Sequence, residues 1–444
     1  MNKISTKRLG DILNFKRGYD LPLSSREDGA IPVISSAGIS GCHSEFKAEG
    51  EGVITGRYGT LGEVYYVEGK YWPHNTTLYV TDFKSNYPKY VYYLLKCLGN
   101  LKTSDKSAVP GINRNDLHEV RVPYIKGSRQ IEIANILDNL DAKIEVNNKI
   151  NAELEAMAKL IYDYWFVQFD FPFDFAQGKP DPKGEPYKSS GGKMVYNKEL
   201  RREIPEGWEV NPFAAWIKND KSGDWGKETE QGNYIKQVSC IRGADLNGLN
   251  GKGDVKSPTR FILEKNSHKF LDIGDFIIEI SGGSPTQSTG RMAFITRETL
   301  ERFDNPLICS NFCKAVTLKE ERAIYNFAYE WNRLYDAGVL FGWEGKTSGI
   351  KNLLFESFVS NHKVVIPDSI IMEHFYDKAK PIHAQMQTNL KQNQKLSELR
   401  DWLLPMLMNG QVTISKDELG ITNAEFRNDL GMVAEETQEY KYTK

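Results

Sequence analysis

The chain has 444 residues, 40% hydrophobic and 26% charged, with a net charge of −2, a globular composition in a chain too long for one ordinary core. No apolar run nears the ~20 residues of a membrane span and MNKISTKRLGD is no signal peptide, so a cytoplasmic location is expected. The charge argues against a simple polyanion binder. It is uneven, however: Asp417–Lys444 holds seven acidic and three basic residues, leaving the rest slightly positive.

The first half opens with strand-like text. GEGVITGRYGTLGEVYYVEG reads as a strand, a Gly-rich polar loop and a second strand. Glycine lets backbone approach a phosphate, and Arg can bridge guanine O6 and N7, so Arg57, Tyr58 and Thr60 are candidate DNA contacts. Lys16 and Arg17 in NFKRGYD join them. YVYYLLKCL reads as a helix, and KSAVPGINRNDLHEVRVP as a polar start, a Gly-Ile turn and a β run ending in proline. Lys102, Lys106, Asn113 and Arg114 fall in or beside it; lysines there suit phosphates better than bases, and plain solvated surface is the bland alternative.

A long helix follows. Ile133, Leu137, Leu140, Ile144, Asn147, Asn151, Leu154, Ala158, Ile161 and Trp165 alternate steps of four and three, a heptad seam. Near LDNLD it could break into a short and a long helix. Its end, IYDYWFVQFDFPFDF, has too many large apolar side chains for a free linker. Tyr164, Trp165, Phe166, Phe169 and Phe171 either cap a helix pair or dock a partner subunit. From there to Trp208 the text is rich in Pro, Gly and Lys and reads as a linker.

The helical stretches of the second half repeat those of the first at an offset of 242, and outside the helices the halves correspond only loosely. IGDFIIEISGGSPTQSTGRMAFIT is again strand, Gly-rich loop, strand; its Ser284, Thr286, Gln287, Ser288, Thr289 and Arg291 are candidate base contacts, Gln suiting adenine. An ordinary hairpin loop is the alternative. AIYNFAYEWNRLYDAGV reads as the matching helix. KTSGIKNLLFESFVSNHKVVIP matches the earlier Gly-Ile stretch and adds Lys346, Thr347, Lys351 and Asn352. Phe375, Ala379, Ile382, Met386, Asn389, Asn393, Leu396, Arg400, Leu403 and Leu407 repeat the seam, with Pro381 expected to kink or break the helix and Pro405 to disturb its last turn.

NNKIN (147–151) and NLKQN (389–393) thus sit at the middle of the two seams. If the helices run antiparallel with Lys149 opposite Lys391, Asn147 meets Asn393 and Asn151 meets Asn389. Polar layers of this kind cost stability but fix register. Solvent-facing asparagines at a local bend are the alternative. The expected fold is α+β: two similar globular domains joined by two long antiparallel coiled-coil-like helices, related by an internal pseudo-twofold repeat. The domains are expected at 1–125 and 207–367, with helices at 126–168 and 368–412, a linker at 169–206 and an acidic tail at 413–444.

NPFA and NPLI are not the Asn-Pro-Pro-aromatic loop of an amino-methyltransferase, and FGWEGKTSG lacks a P-loop because position 340 is Leu. The histidines show no metal-ligand spacing. Cys309 and Cys313 stand four apart, but Cys42, Cys97 and Cys240 are scattered, which suits reduced thiols and no metal. No catalytic residue is expected.

INRNDLHEVRVPYIKGSRQIEIANILDNLDAKIEVNNKINAELEAMAKLIYDYWFVQFDFP, GEPYKSSGGKMVYNKELRREIPEGWEV and KLSELRDWLLPMLMNGQV resemble the DNA-specificity subunit of type I restriction-modification systems. The resemblance covers nearly all of residues 1–412. It implies a non-catalytic chain with two target-recognition domains, each reading one half of a split asymmetric site in double-stranded DNA. It also implies helical spacers that dock two methyltransferase subunits, bringing S-adenosylmethionine, and separate motor-nuclease subunits that bring ATP-dependent, Mg2+-requiring cleavage. A two-lobed protein-interaction adaptor without DNA readout is the alternative function.

Overall fold

The computed structural model describes residues 5–57, 63–98, 113–284, 286–347 and 350–412. Tyr58, Thr60, Lys102, Lys106, the side chains of Lys346 and Thr347, and the acidic tail lie outside the described set. The chain forms two compact units, Met1–Ala142 with Leu396–Lys444, and Lys143–Lys395. Among the described residues no helix is long and apolar enough to cross a membrane.

Unit one is built on seven strands: β1 (Asn14–Arg17), β2 (Ile31–Ser35), β3 (Gly38–His43), β4 (Gly52–Gly56), β5 (Val64–Val67), β6 (Lys70–Pro73) and β7 (Thr77–Asp82). One sheet has the order β1-β7-β4-β5. A second runs β3-β2-β6 and ends on the short strand Ala48–Glu49, with β2 and β6 parallel. The strands are rich in β-branched and aromatic residues, which fit a half-buried pleated surface. The helix Pro88–Cys97 starts on a proline, whose missing N–H costs nothing there, and buries Tyr90, Tyr93 and Leu94 in the core under the first sheet. The strands Ser5–Arg8 and Arg121–Tyr124 pair antiparallel.

Unit two repeats this order strand for strand: β8 (Ile217–Ser222), β9 (Tyr234–Ile241), β10 (Thr259–Leu263), β11 (Phe276–Glu279), β12 (Met292–Phe294), β13 (Leu307–Cys309) and β14 (Cys313–Leu318). Its sheets run β8-β14-β11-β12 and β10-β9-β13, and β9 and β13 are again parallel. The helix Ile324–Asp336 follows β14 as Pro88–Cys97 follows β7, and Glu209–Pro212 pairs Lys363–Ile366. Its core centres on Phe213, Phe276, Phe327, Trp331 and Phe358, all at most 1% exposed.

Two long helices complete the chain, α1 (Arg129–Tyr162) and α2 (Ser369–Met408). α1 is continuous through LDNLD, so the break expected there is absent. α2 runs through Pro381 and Pro405 as one helix, correcting the expected interruption. An interior proline removes one hydrogen bond and costs ~3 kcal/mol; here Ala379 and Ile382 on either side of Pro381 are buried, and that packing offsets the loss. Within unit one, Ile133, Ala134 and Leu137 share a core with Leu404, Leu407 and Met408, and Arg400 donates to Asp141 at 2.7 Å. Within unit two, Leu154 and Ala158 pack on Ile382 and Met386, and Tyr162, Trp165 and Phe166 ring Phe375. That order is antiparallel. None of the twenty seam positions is exposed.

The four asparagines are buried between these helices, at 1% to 9% exposure. Asn147 donates to Asn393 Oδ1 at 2.8 Å, and Asn389 donates to Asn151 Oδ1 at 2.8 Å. The other two amide groups also donate: Asn151 to the Met386 carbonyl at 3.1 Å and Asn393 to Asn148 Oδ1 at 2.8 Å. A one-turn slip would bury these amides unpaired. Asn147→Ala is expected to cost about 1 to 3 kcal/mol, and Asn147→Ala with Asn393→Ala less than the sum of the singles, measured as shifts in the urea midpoint. Additive losses would mean that the two side chains act independently.

The segment after α1 is folded. The helix widens into a π-turn over Asp163–Val167, and Phe169 stops it in the left-handed conformation (φ 69°), where glycine is usual. Phe171 stacks on Tyr187 and on Trp208, at centroid distances of 4.6 Å and 5.0 Å. Pro172–Asp174 forms a small sheet with Lys179–Pro180 and Glu185–Pro186, and Met194–Asn197 pairs Arg202–Pro205. Linker-like composition therefore coexists with fixed structure, because the aromatic side chains pin it to unit two.

Candidate nucleic-acid interface

In unit one the candidates gather at one end of the main sheet. Arg17 ends β1 and is exposed; its Nε donates to the Asn75 carbonyl at 3.4 Å. Arg57 follows β4, and its backbone N–H donates to the Thr76 carbonyl at 2.8 Å. The turn His74–Thr76, which leads into β7, thus brings both arginines together. Thr76 Oγ1 accepts from the Ser36 N–H at 3.2 Å and lies 3.1 Å from His74 Nδ1. Burial holds the His74 imidazole below its ordinary pKa, so it is neutral at pH 7. Lys16 donates to the Tyr19 hydroxyl at 2.9 Å. Asn113 caps the helix Arg114–Glu119 by accepting from the Asn115 N–H at 3.0 Å, a structural task, while Arg114 is exposed.

In unit two the Gly-rich loop divides. Thr286 and Gln287 are exposed and Ser284 is half-buried, its hydroxyl accepting from the Gln287 N–H at 3.1 Å. Ser288 and Thr289 are buried, at 5% and 1% exposure. Both turn to Glu344: the Thr289 N–H donates to its Oε1 at 2.8 Å and the Ser288 hydroxyl at 3.3 Å. Lys351 pairs with the same carboxylate at 3.2 Å. Burial pushes the Glu344 carboxyl up, but the Thr289 and Lys351 hydrogen bonds outweigh it and hold it below the ordinary range. Asn352 accepts from the Ser281 hydroxyl at 2.6 Å.

Arg291 is placed inward. Its Nε and NH2 fork onto Glu279 at 2.9 and 2.6 Å, and Glu279 is 4% exposed. The hydrogen bond to Glu279 raises the guanidinium pKa further. A guanidinium committed in this way has its Nε/Nη2 edge taken up by Glu279, and that edge cannot reach guanine. The surface candidates of this unit are therefore Ser284, Thr286 and Gln287, with Arg291, Ser288, Thr289, Lys351 and Asn352 building the loop behind them.

The aromatic cluster is also placed inward. Trp165 and Phe166 are 7% exposed, Phe169 1% and Phe171 2%, all against this chain's own core, so their apolar area is covered within unit two rather than offered to a partner. Only Tyr164, 39% exposed, faces out. Sequence reading passed over the row it belongs to. Val146, Ile150, Met157 and Leu160 are exposed large apolar residues of α1, and with Tyr164 their steps of four, seven, three and four keep them on one face. The signal was present, a second apolar stripe beside the seam, but the seam drew the attention.

Residues 1–156 match the family model described as type I restriction modification DNA specificity domain. The chain is 25% identical over 334 residues to the type I restriction enzyme MjaIX specificity subunit of Methanocaldococcus jannaschii, covering 74% of this chain and 70% of that protein. It is 22% identical over 308 residues to the HindI specificity subunit of Haemophilus influenzae, covering 64% and 67%. Its fold is similar to the S subunit of a type I restriction-modification system from M. genitalium, with a TM-score of 0.56 at 15% identity, over 94% of this chain and 98% of that one. With the repeated units and the paired helices described above, these matches make the chain similar to the DNA-specificity subunits of type I restriction-modification systems.

Proposed function

We propose that this chain is the specificity subunit of a type I restriction-modification complex: a non-catalytic, cytoplasmic scaffold whose two globular units each read one half of a bipartite site in double-stranded DNA. One observation carries the reading. The same seven-strand frame occurs twice while the side chains at its loop end differ, as a tool with two different readers requires. Two methyltransferase subunits would bring S-adenosylmethionine and the adenine chemistry, and motor-nuclease subunits ATP- and Mg2+-dependent cleavage. The outward row Val146, Ile150, Met157, Leu160 and Tyr164 suits the docking of a methyltransferase subunit, because exposed apolar side chains gathered on one face of a helix suit a protein interface.

Purified chain mixed with a type I methyltransferase subunit that binds it should transfer methyl groups to DNA carrying the site, and neither alone should. Transfer by the methyltransferase alone at the same sites would remove the specificity role. Because the chain is near neutral, partners are expected to supply much of the phosphate clamping. The isolated chain should then bind DNA weakly and lose affinity steeply as salt rises, measured by fluorescence anisotropy. Nanomolar, salt-insensitive binding would contradict this.

A further inference from the structure

The backbone frame around two three-residue turns is the same in both units. The His74 N–H donates to the Ile34 carbonyl at 2.9 Å, and the Ser310 N–H to Ile241 at 2.8 Å. Thr77 closes back on His74, and Cys313 on Ser310, both at 2.9 Å. The Thr76 carbonyl accepts from Arg57, and the Phe312 carbonyl from Ile280, at 2.8 and 2.9 Å. Even the close approach beside each turn recurs: a Cβ on Gly18 would lie 2.1 Å from the His74 oxygen, and one on Gly223 2.0 Å from the Ser310 oxygen. By this frame Asn75 corresponds to Asn311 and Thr76 to Phe312.

Backbone hydrogen bonds hold the turns, so the side chains at their tips are free to differ. Ser310 is fully buried and the Thr76 hydroxyl is tied to Ser36, leaving Asn75, Asn311 and Phe312. Asn75 is half-buried and donates one amide proton to Asp20 at 2.6 Å; the other proton and the amide oxygen remain. Asn311 is exposed, and Phe312 is 55% exposed. Phe312 lines a cleft of about 560 Å³ with Trp225, Arg242, Gly283 and Ile350. An asparagine amide can donate from Nδ2 to adenine N7 and accept at Oδ1 from the adenine N6 amino group, the bidentate match to adenine, and an apolar ring suits the thymine methyl.

We infer that the turns 74–76 and 310–312 are equivalent base-reading elements, in which Asn75 and Asn311 each read one base pair of their half-site and Phe312 reads a neighbouring pair of the second. This rests on the DNA-reading role proposed above. The test uses the chain with its methyltransferase and a set of duplexes in which each base pair of the recognised site is changed in turn. For Asn311→Ala, the preference at one base pair of one half-site should fall at least about fivefold, with preferences in the other half unchanged. Asn75→Ala should do the same in the opposite half. Asn311→Asp, which replaces a donor by an acceptor at constant shape, should turn preference away from adenine at that same base pair.

An unchanged preference profile in these variants overturns the inference. So does a uniform loss across all duplexes, which would make the side chains structural or phosphate-holding. Failure of the unmodified chain to direct any site-specific methylation is a separate outcome that defeats the DNA-reading role itself.

Discussion

Trp165→Ala and Phe166→Ala are each expected to destabilise unit two by about 3 to 5 kcal/mol, the range for removing a buried aromatic side chain. Both rings sit against Phe375, at centroid distances of 6.1 Å and 5.2 Å, and Phe375 has no exposed surface. For a unit of this size the loss corresponds to a fall in melting temperature of roughly 6 to 20 °C. Tyr164→Ala and Leu160→Ala lie on the outward row beside the seam and should move stability by less than about 0.5 kcal/mol. Their effect should fall on the affinity for the methyltransferase subunit, measured by calorimetry. If Trp165→Ala left the melting curve in place and abolished that association instead, the ring would be a docking residue and its placement in the core would be wrong.

Arg291→Ala is the second large effect. Removing the guanidinium leaves the Glu279 carboxylate, 4% exposed, without its bidentate partner. Breaking a buried ion pair from one side costs about 3 to 5 kcal/mol, whereas replacing both members by apolar residues of similar size is near neutral. Arg291→Met with Glu279→Met should therefore recover most of the stability lost by Arg291→Ala. Gln287→Ala, on the exposed side of the same loop, should leave the melting curve unchanged and weaken site-specific methylation. A folded, stable Arg291→Ala chain with altered sequence preference would return Arg291 to the DNA surface.

The long helices were legible because periodicity is local: ten seam positions in each can be counted without knowing the partner. The asparagine pairs were legible for a related reason, since their symmetric spacing leaves one antiparallel register in which Asn147 faces Asn393 and Asn151 faces Asn389. The prolines of α2 were misleading because their cost is local while its compensation, the packing around Ala379 and Ile382, is not. Nonlocal partners also explain the loop. Ser288 and Thr289 look like readers in sequence, and only Glu344, some 55 positions away, shows that their hydrogen bonds are already made. Arg291 carries the same lesson, with Glu279 across the hairpin. The aromatic cluster after α1 announced burial but not against what. The turn His74–Thr76 gave no sign at all, because HNT is ordinary turn text and its significance comes from its counterpart SNF, recognisable only once both backbones are in hand.

The most direct test of the central claim is single-molecule methylation sequencing of DNA from cells that carry this chain with a type I methyltransferase subunit that binds it, against cells in which the chain is deleted. The account predicts a split asymmetric motif with one modified adenine in each half, present with the chain and lost on deletion. The same methylation pattern in both cells, with the methyltransferase active, would contradict it and favour a protein-interaction adaptor.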